Sequence, residues 1–275
     1  MSLLEVDDLT VTYAGAGAPS VRDLSLRVEP GETLGLVGES GCGKSTTVHA
    51  LLRLLPAGTS VAGRVRFQDR DLLGLPRRDL RGIRWRDVAL VPQSAMNSLD
   101  PVRTVESQFV EVIRIHRRCS RKHARGLARD ALAEVGIDPA RGSSYPHQFS
   151  GGMRQRAMIA MATILQPSLL IADEPTTGLD VVVQDQVLGA LETVQRRHGL
   201  AVVLVTHDLG VVAELCDRIV VMREGRMVET GTVEDVILRP RDEYTARLIA
   251  AVEHRDNDHD RAGALVPADG RRTGR

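Results

Sequence analysis

Two stretches of this 275-residue sequence carry residue types at spacings suited to phosphate chemistry. The first is Gly38-Glu39-Ser40-Gly41-Cys42-Gly43-Lys44-Ser45, which fits the pattern G-x-x-x-x-G-K-[ST], with Thr46 following. Glycines at these positions let the backbone curl so that successive N–H groups face phosphate oxygens. A helix opening near Ser45 would add the positive end of its dipole. Lys44 brings a compact charge for the outer phosphates, and the Ser45 hydroxyl suits Mg2+. The second stretch is Leu169-Leu170-Ile171-Ala172-Asp173-Glu174-Pro175, a short apolar run that delivers two adjacent acids. Neighbours on a strand point to opposite faces. Asp173 is therefore placed to hold Mg2+, directly or through water, while Glu174 could polarise an attacking water as a general base. A glycine-rich turn and an acidic turn are the plain alternatives, and the presence of both motifs in one chain argues against them. His207 ends the next apolar run, in Thr206-His207-Asp208. A lone histidine is ordinarily structural, yet from a neighbouring strand end it can equally reach a γ-phosphate and hold the attacking water.

These groups need a scaffold that brings strand ends together. Strands are expected at Leu3–Thr12, Leu24–Val28, Thr33–Val37, Val61–Phe67 and Val88–Val91, with a helix over Ser45–Leu55 stopped by Pro56 and Gly58. Thr104–Gly136 has helical spacing, and another helix should begin near Ser150. Then come a strand at Leu169–Ala172, a helix at Val182–Arg197, a strand at Ala201–Thr206, a short helix and a strand at Arg218–Met222. Such alternation implies an α/β fold whose parallel sheet is covered on both faces, with ligands at the strand C-terminal ends. Residues 253–275 are charged, rich in Asp and Arg with some Gly, and expected to be disordered.

Composition removes several classes. With 36 basic and 36 acidic residues the net charge is zero, which argues against a nucleic-acid binder held by a strong positive field. Only Lys44 and Lys122 among the basic residues are lysine. A chain that otherwise uses arginine has kept a small, flexible point charge where phosphates are expected. The richest apolar window, Ala157–Ala172, is broken by Gln166 and Pro167, too short for a membrane span. Met1–Thr10 is acidic and lacks the basic lead-in of a secretory signal. Cys42, Cys119 and Cys216 form no C-x-x-C pair, so no cysteine-built metal or iron–sulfur centre is expected. Together these predict a soluble, intracellular chain. The basic stretch from Arg114 to Arg129 is expected to be a solvated helical face, with lipid head groups or an acidic partner as the alternative. A GTP-binding switch would need Asn-Lys-x-Asp, but the only asparagines, Asn97 and Asn257, do not precede lysine.

Over about Leu3 to Val252 the sequence resembles the ATP-binding subunit of an ABC transporter. Phe149-Ser150-Gly151-Gly152-Met153-Arg154-Gln155-Arg156 is similar to that family's signature. Ser150 can cap a helix, Gly151 and Gly152 allow close backbone approach, and the N-terminal amides through Met153 can face an anion. The resemblance implies that this anion is the γ-phosphate of ATP on the opposite subunit. It also implies that Gln93 contacts Mg2+ and the attacking water while linking to the membrane subunit. Gly178-Leu179-Asp180 would form the loop that crosses to the second subunit, and Tyr13 would stack on adenine. The residues alone leave Tyr13 equally an edge-strand tyrosine, and Cys42 either an acidified thiol or an inert small residue.

The implied architecture is a P-loop ATPase core with a parallel sheet, an N-terminal antiparallel β-subdomain and an inserted helical subdomain at about 98–165, the whole domain being 1–252. The implied activity is ATP hydrolysis coupled to solute translocation, using ATP and Mg2+, with Glu174, His207 and Gln93 at the reaction. The implied partners are membrane permease subunits, a second ATPase subunit (related or identical) and, indirectly, a solute-binding protein. The implied location is the cytoplasmic face of the cell membrane. Tyr145-Pro146-His147-Gln148, Met153, the run Gln93–Pro101, and Tyr244-Thr245 with Leu248 resemble the branch importing peptides, nickel and related small solutes. Many peptide-importing members carry a cysteine-rich extension holding an iron–sulfur cluster, and no cysteine follows Cys216. A shorter peptide-importer subunit and a nickel, metallophore or oligosaccharide importer therefore both stay open. Soluble ABC ATPases acting on DNA or ribosomes usually carry a coiled-coil insert or two ATPase units, which 275 residues do not accommodate.

Overall fold

The structure is a computed structural model that describes residues 2–95 and 98–251. Met96 and Asn97 of the Gln93–Pro101 run, the Val252 boundary and the expected tail 253–275 lie outside the described residues. Its centre is set by three apolar runs buried along their whole length: β3 (Thr33–Val37), β7 (Leu169–Asp173) and β8 (Ala201–Thr206). Strands with no polar face must be covered on both sides, as in a parallel sheet between helical layers. With β6 (Val88–Val91), β9 (Arg218–Arg223) and β10 (Arg226–Thr232) they form a six-stranded sheet ordered β10-β9-β3-β8-β7-β6. Every neighbouring pair is parallel except β10 with β9.

A second sheet, ordered β2-β1-β4-β5, is antiparallel and built from β1 (Leu4–Thr12), β2 (Val21–Val28), β4 (Ser60–Phe67) and β5 (Arg70–Asp71). Leu4, Val6, Leu9 and Val11 of β1 are buried. The β1–β2 register shifts between Val6 and Leu9, where Asp8 has φ +51°. Alternation along the central strands separates two cores. Leu169, Ile171, Ala201, Val203 and Val205 pack toward the antiparallel sheet and α1 (Lys44–Leu51). Leu170, Ala172, Val202 and Leu204 pack toward the helical layer.

That layer holds α3 (Val105–His116), α4 (Arg121–Glu134), α5 (Gly151–Thr163) and α6 (Val181–His198). The helical stretch expected over Thr104–Gly136 is split, because Ser120 caps a fresh start by accepting from the His123 N–H, as Thr104 does from Ser107 for α3. Within the basic stretch, Arg125 and Arg129 pair with Glu106, and Arg117 donates to the Leu165 carbonyl. The helical layer shares its core with the sheet, so no separate apolar centre divides it from the strands.

Several elements were not foreseen from the sequence: α2 (Arg77–Ile83), β5, β10, α8 (Val233–Leu238) and a last helical stretch at 243–251. None is long and apolar, and β10 has no fully buried residue. A third apolar cluster joins Val37, Ile219 and Val221 to Leu209 and Val212 of α7 (Leu209–Leu215), to α8 and to Tyr244. Among the described residues no helix is long and apolar enough to cross a membrane.

Candidate active site

The end of β3 turns into the glycine loop at Gly38, with φ +147°, followed by Gly41 at +81° and Gly43 at +110°. A side chain at Gly38 would collide with the Met222 carbonyl and Cys42 Sγ, and one at Gly43 with the Ser20 carbonyl. Glycine is required there by both conformation and space. Lys44 is only 5% exposed, and its Nζ donates to the carbonyls of Gly38 (2.7 Å) and Glu39 (2.9 Å). Thr46 Oγ1 lies 3.1 Å from the Tyr13 hydroxyl, which brings Tyr13 to the start of α1. Not every loop amide faces inward. The Glu39 N–H donates to the Tyr244 hydroxyl (3.1 Å), and the Cys42 N–H donates to the Glu39 carbonyl (3.2 Å). Burial pushes the Cys42 thiol pKa up, against the opposing pull of Lys44, whose Nζ is 3.8 Å away. That favours the inert residue over the acidified thiol.

Adjacent strands β6, β7 and β8 deliver the remaining groups. Ser45 Oγ donates to Asp173 Oδ1 at 3.3 Å. Asp173 is 3% exposed, and burial raises its pKa although the Ser45 hydrogen bond works the other way. Glu174 leaves the strand with φ +46°, its N–H still bonded to the Val205 carbonyl (2.8 Å). Its side chain is turned away from Ser45 and toward Gln93, Thr177 and His207. Glu174 Oε2 accepts from Gln93 Nε2 (2.9 Å) and Thr177 Oγ1 (2.8 Å), while Oε1 lies 3.5 Å from His207 Nδ1. Thr177 was not foreseen. Its signal was its place three residues after Glu174, within one turn's reach. Asp208 orders the His207 turn by taking the N–H groups of Gly210 and Val211 and a bond from Gln184.

The glycine pair of Ser150–Met153 is built differently. Ser150 caps α5 by accepting from the Met153 N–H (3.2 Å). A Cβ at Gly152 would collide with Val183 Cγ1, so that glycine lets α5 and α6 close together. Asp180 caps α6 through the Val183 N–H (3.0 Å), just after Gly178 at φ +79°. Among the described residues no hydrogen bond joins Ser150–Met153 to Gly38–Thr46 or to the strand ends. The preceding turn is tied locally: Tyr145 stacks on His147 at 5.6 Å, and the Arg141 guanidinium lies 5.5 Å from the Phe149 ring centre.

The donor set fits Mg2+. Ser45 and Asp173 offer a hydroxyl and a carboxylate, and the buried, proton-favouring Asp173 would be held ionised by a cation. Gln93, also expected at the metal, is bonded to Glu174. Among the described residues no group of three His, Cys, Asp or Glu side chains could hold a metal, whereas Mg2+ takes one or two protein ligands and completes its shell with water and phosphate. The arrangement can bind a polyphosphate and hold a carboxylate base for an attacking water.

Comparison with known proteins agrees. The profile described as ABC transporter matches residues 21–177. The dipeptide transport ATP-binding protein DppD of Bacillus subtilis is 43% identical over 274 residues, covering 98% of this chain and 81% of that protein. The peptidoglycan transport ATP-binding protein YejF of Agrobacterium fabrum is 44% identical over 274 residues, and the chain spans half of its length. Among solved structures, the dimeric post-hydrolysis ATP-binding cassette MJ0796 bound to ADP and Pi superposes with a TM-score of 0.74 at 26% identity, covering 84% of this chain and 98% of that one.

Proposed function

The chain belongs to the ABC transporter family of ATP-binding subunits, and on that premise we propose that it hydrolyses ATP to power import of peptides or related small solutes. The observation that carries the reading is the split at the end of β7. There Asp173 joins Ser45 on one face, while Glu174 meets Gln93, Thr177 and His207 on the other. Lys44 and the free loop amides hold the outer phosphates, and Tyr13 stands at the adenine side. Mg2+, held by Ser45 and Asp173 with Gln93 nearby, neutralises phosphate charge when bound. Glu174 accepts the proton of the attacking water, which Gln93 and His207 orient. Thr177 keeps the Glu174 carboxylate turned toward them.

Ser150, Gly151, Gly152, Met153 and Asp180 serve the ATP site of a second subunit, identical or related. Two such chains close on two ATP molecules and reopen after hydrolysis, driving permease subunits at the cytoplasmic face of the membrane. A solute-binding protein delivers the cargo. Support for peptide cargo comes from the likeness to DppD, while the Tyr145–Gln148 and Tyr244-Thr245 strings support the wider branch of peptide, nickel and related importers. The test is co-purification with the native membrane subunits, reconstitution, and ATPase assay against a panel of solutes. Peptides are expected to stimulate turnover. Stimulation by a non-peptide solute alone would overturn the cargo, and absence of Mg2+-dependent ATPase would overturn the catalytic assignment.

A further inference from the structure

The Tyr244-Thr245 string has no part in the chemistry above, yet it reaches the glycine loop from 205 positions away in the chain. Tyr244 opens the helical stretch 243–251, where the Asp242 side chain accepts from the Tyr244 N–H (2.8 Å). Both oxygens of Glu229, on β10, accept from the N–H groups of Arg241 (2.8 Å) and Asp242 (3.1 Å), fixing the turn to the sheet. The Tyr244 ring is 6% exposed, seated among Val37, Val221 and Leu248, with the Arg223 guanidinium 5.1 Å from its centre. From this fixed seat its hydroxyl accepts the Glu39 N–H (3.1 Å). The other side of Glu39 matters equally: its carbonyl accepts from Lys44 Nζ and from the Cys42 N–H. Glu39 is therefore held from outside the loop at its N–H and from inside at its carbonyl.

We propose that Tyr244 is a positioning residue of the phosphate loop, acting through Glu39 to fix the carbonyl that seats Lys44. The C-terminal helical stretch is then part of the nucleotide site although it touches no nucleotide. The inference rests on the loop being the ATP site. Removing one hydroxyl leaves the ring, its packing and the Arg223 contact in place. What is lost is the partner of a part-buried N–H.

The experiment compares the full chain with Tyr244→Phe and Leu132→Ala, measuring affinity for a fluorescent ATP analogue, thermal stability and amide exchange at Glu39. Tyr244→Phe is expected to weaken nucleotide affinity about three- to tenfold, the scale of one hydrogen bond left unmade, and to speed exchange at Glu39. Leu132→Ala, a buried residue of α4 remote from the loop, should lower Tm and leave affinity within about twofold of wild type. Unchanged affinity in Tyr244→Phe would overturn the inference. So would affinity losses in the two variants that simply follow their losses in Tm. Should Tyr244→Phe not fold, wild-type exchange decides: slower exchange at Glu39 than at Ser40 and Gly41 supports the contact, and equal rates overturn it. Failure of the wild-type chain to bind the analogue would sink the loop assignment itself, a result separable from loss in the variant alone.

Discussion

At the strand ends each functional side chain is held by another part of the same chain. Lys44 is held by the loop carbonyls, Asp173 by Ser45, and Glu174 by Gln93 and Thr177. At the tip of α5 the opposite holds. Ser150 does no more than cap its own helix, and the first-turn N–H groups of a helix have no partner within it. Gly152 is shaped by Val183 of α6 behind it and not by the loop. On the proposed reading, the difference separates a half-site completed inside one chain from a half-site whose donors are finished only by another surface. Defects in the first should show in an isolated subunit, and defects in the second only after assembly.

Glu174→Gln tests the completed half most severely. Hydrolysis in the assembled transporter is expected to fall roughly 10²–10⁴-fold with nucleotide affinity little changed. Near-normal turnover would remove Glu174 from the base role. Lys44→Ala should weaken ATP binding by the isolated chain roughly 10–100-fold, the range for a charged hydrogen-bond donor, as read by equilibrium titration. An intact affinity would show that the loop is not the phosphate site.

For the unfinished half, Gly152→Ala should cost about 1–3 kcal/mol by overpacking α5 against α6. Combined with Val183→Ala the two effects should be non-additive by at least about 0.5 kcal/mol in denaturant unfolding. Throughout, ATP affinity of the isolated chain should stay at the wild-type value. A loss there would break the division between the halves.

The smallest effect concerns Asp173. Burial raises its folded pKa above the unfolded value, so the folded chain binds more protons and loses stability as pH rises through the folded pKa. Asp173→Asn should therefore raise Tm of the nucleotide-free chain by roughly 1–3 °C at pH 7.5. The gain should vanish as pH falls below the ordinary aspartate range, where both side chains are neutral. A gain independent of pH would assign it to packing.

Legibility from the sequence followed burial. β3, β6 and β8 run over the residues expected of them, because short apolar runs bounded by Gly or Pro have few alternatives. Residues 226–232 carried no such pattern, since β10 is held through backbone pairing to β9 at a sheet edge. The Gly38–Ser45 loop was readable because conformation and space demand glycine at several closely spaced positions. Thr177 and Tyr244 were not, because each contributes one hydroxyl whose target is set by tertiary folding alone. The contact of the Tyr13 hydroxyl with Thr46 is likewise set by tertiary folding and has no local pattern.

The absent methyl at Gly152 also has a mechanical meaning. Val183 fills the place a side chain would take, which brings the α5 backbone close against α6. The two helices interlock at this one point. Their mesh lies one turn from the Asp180 cap, and the Asp180 segment follows directly from the turn that begins at Glu174. The Glu174 turn and the α5 tip are thereby joined through the Asp180 segment and one tightly packed contact.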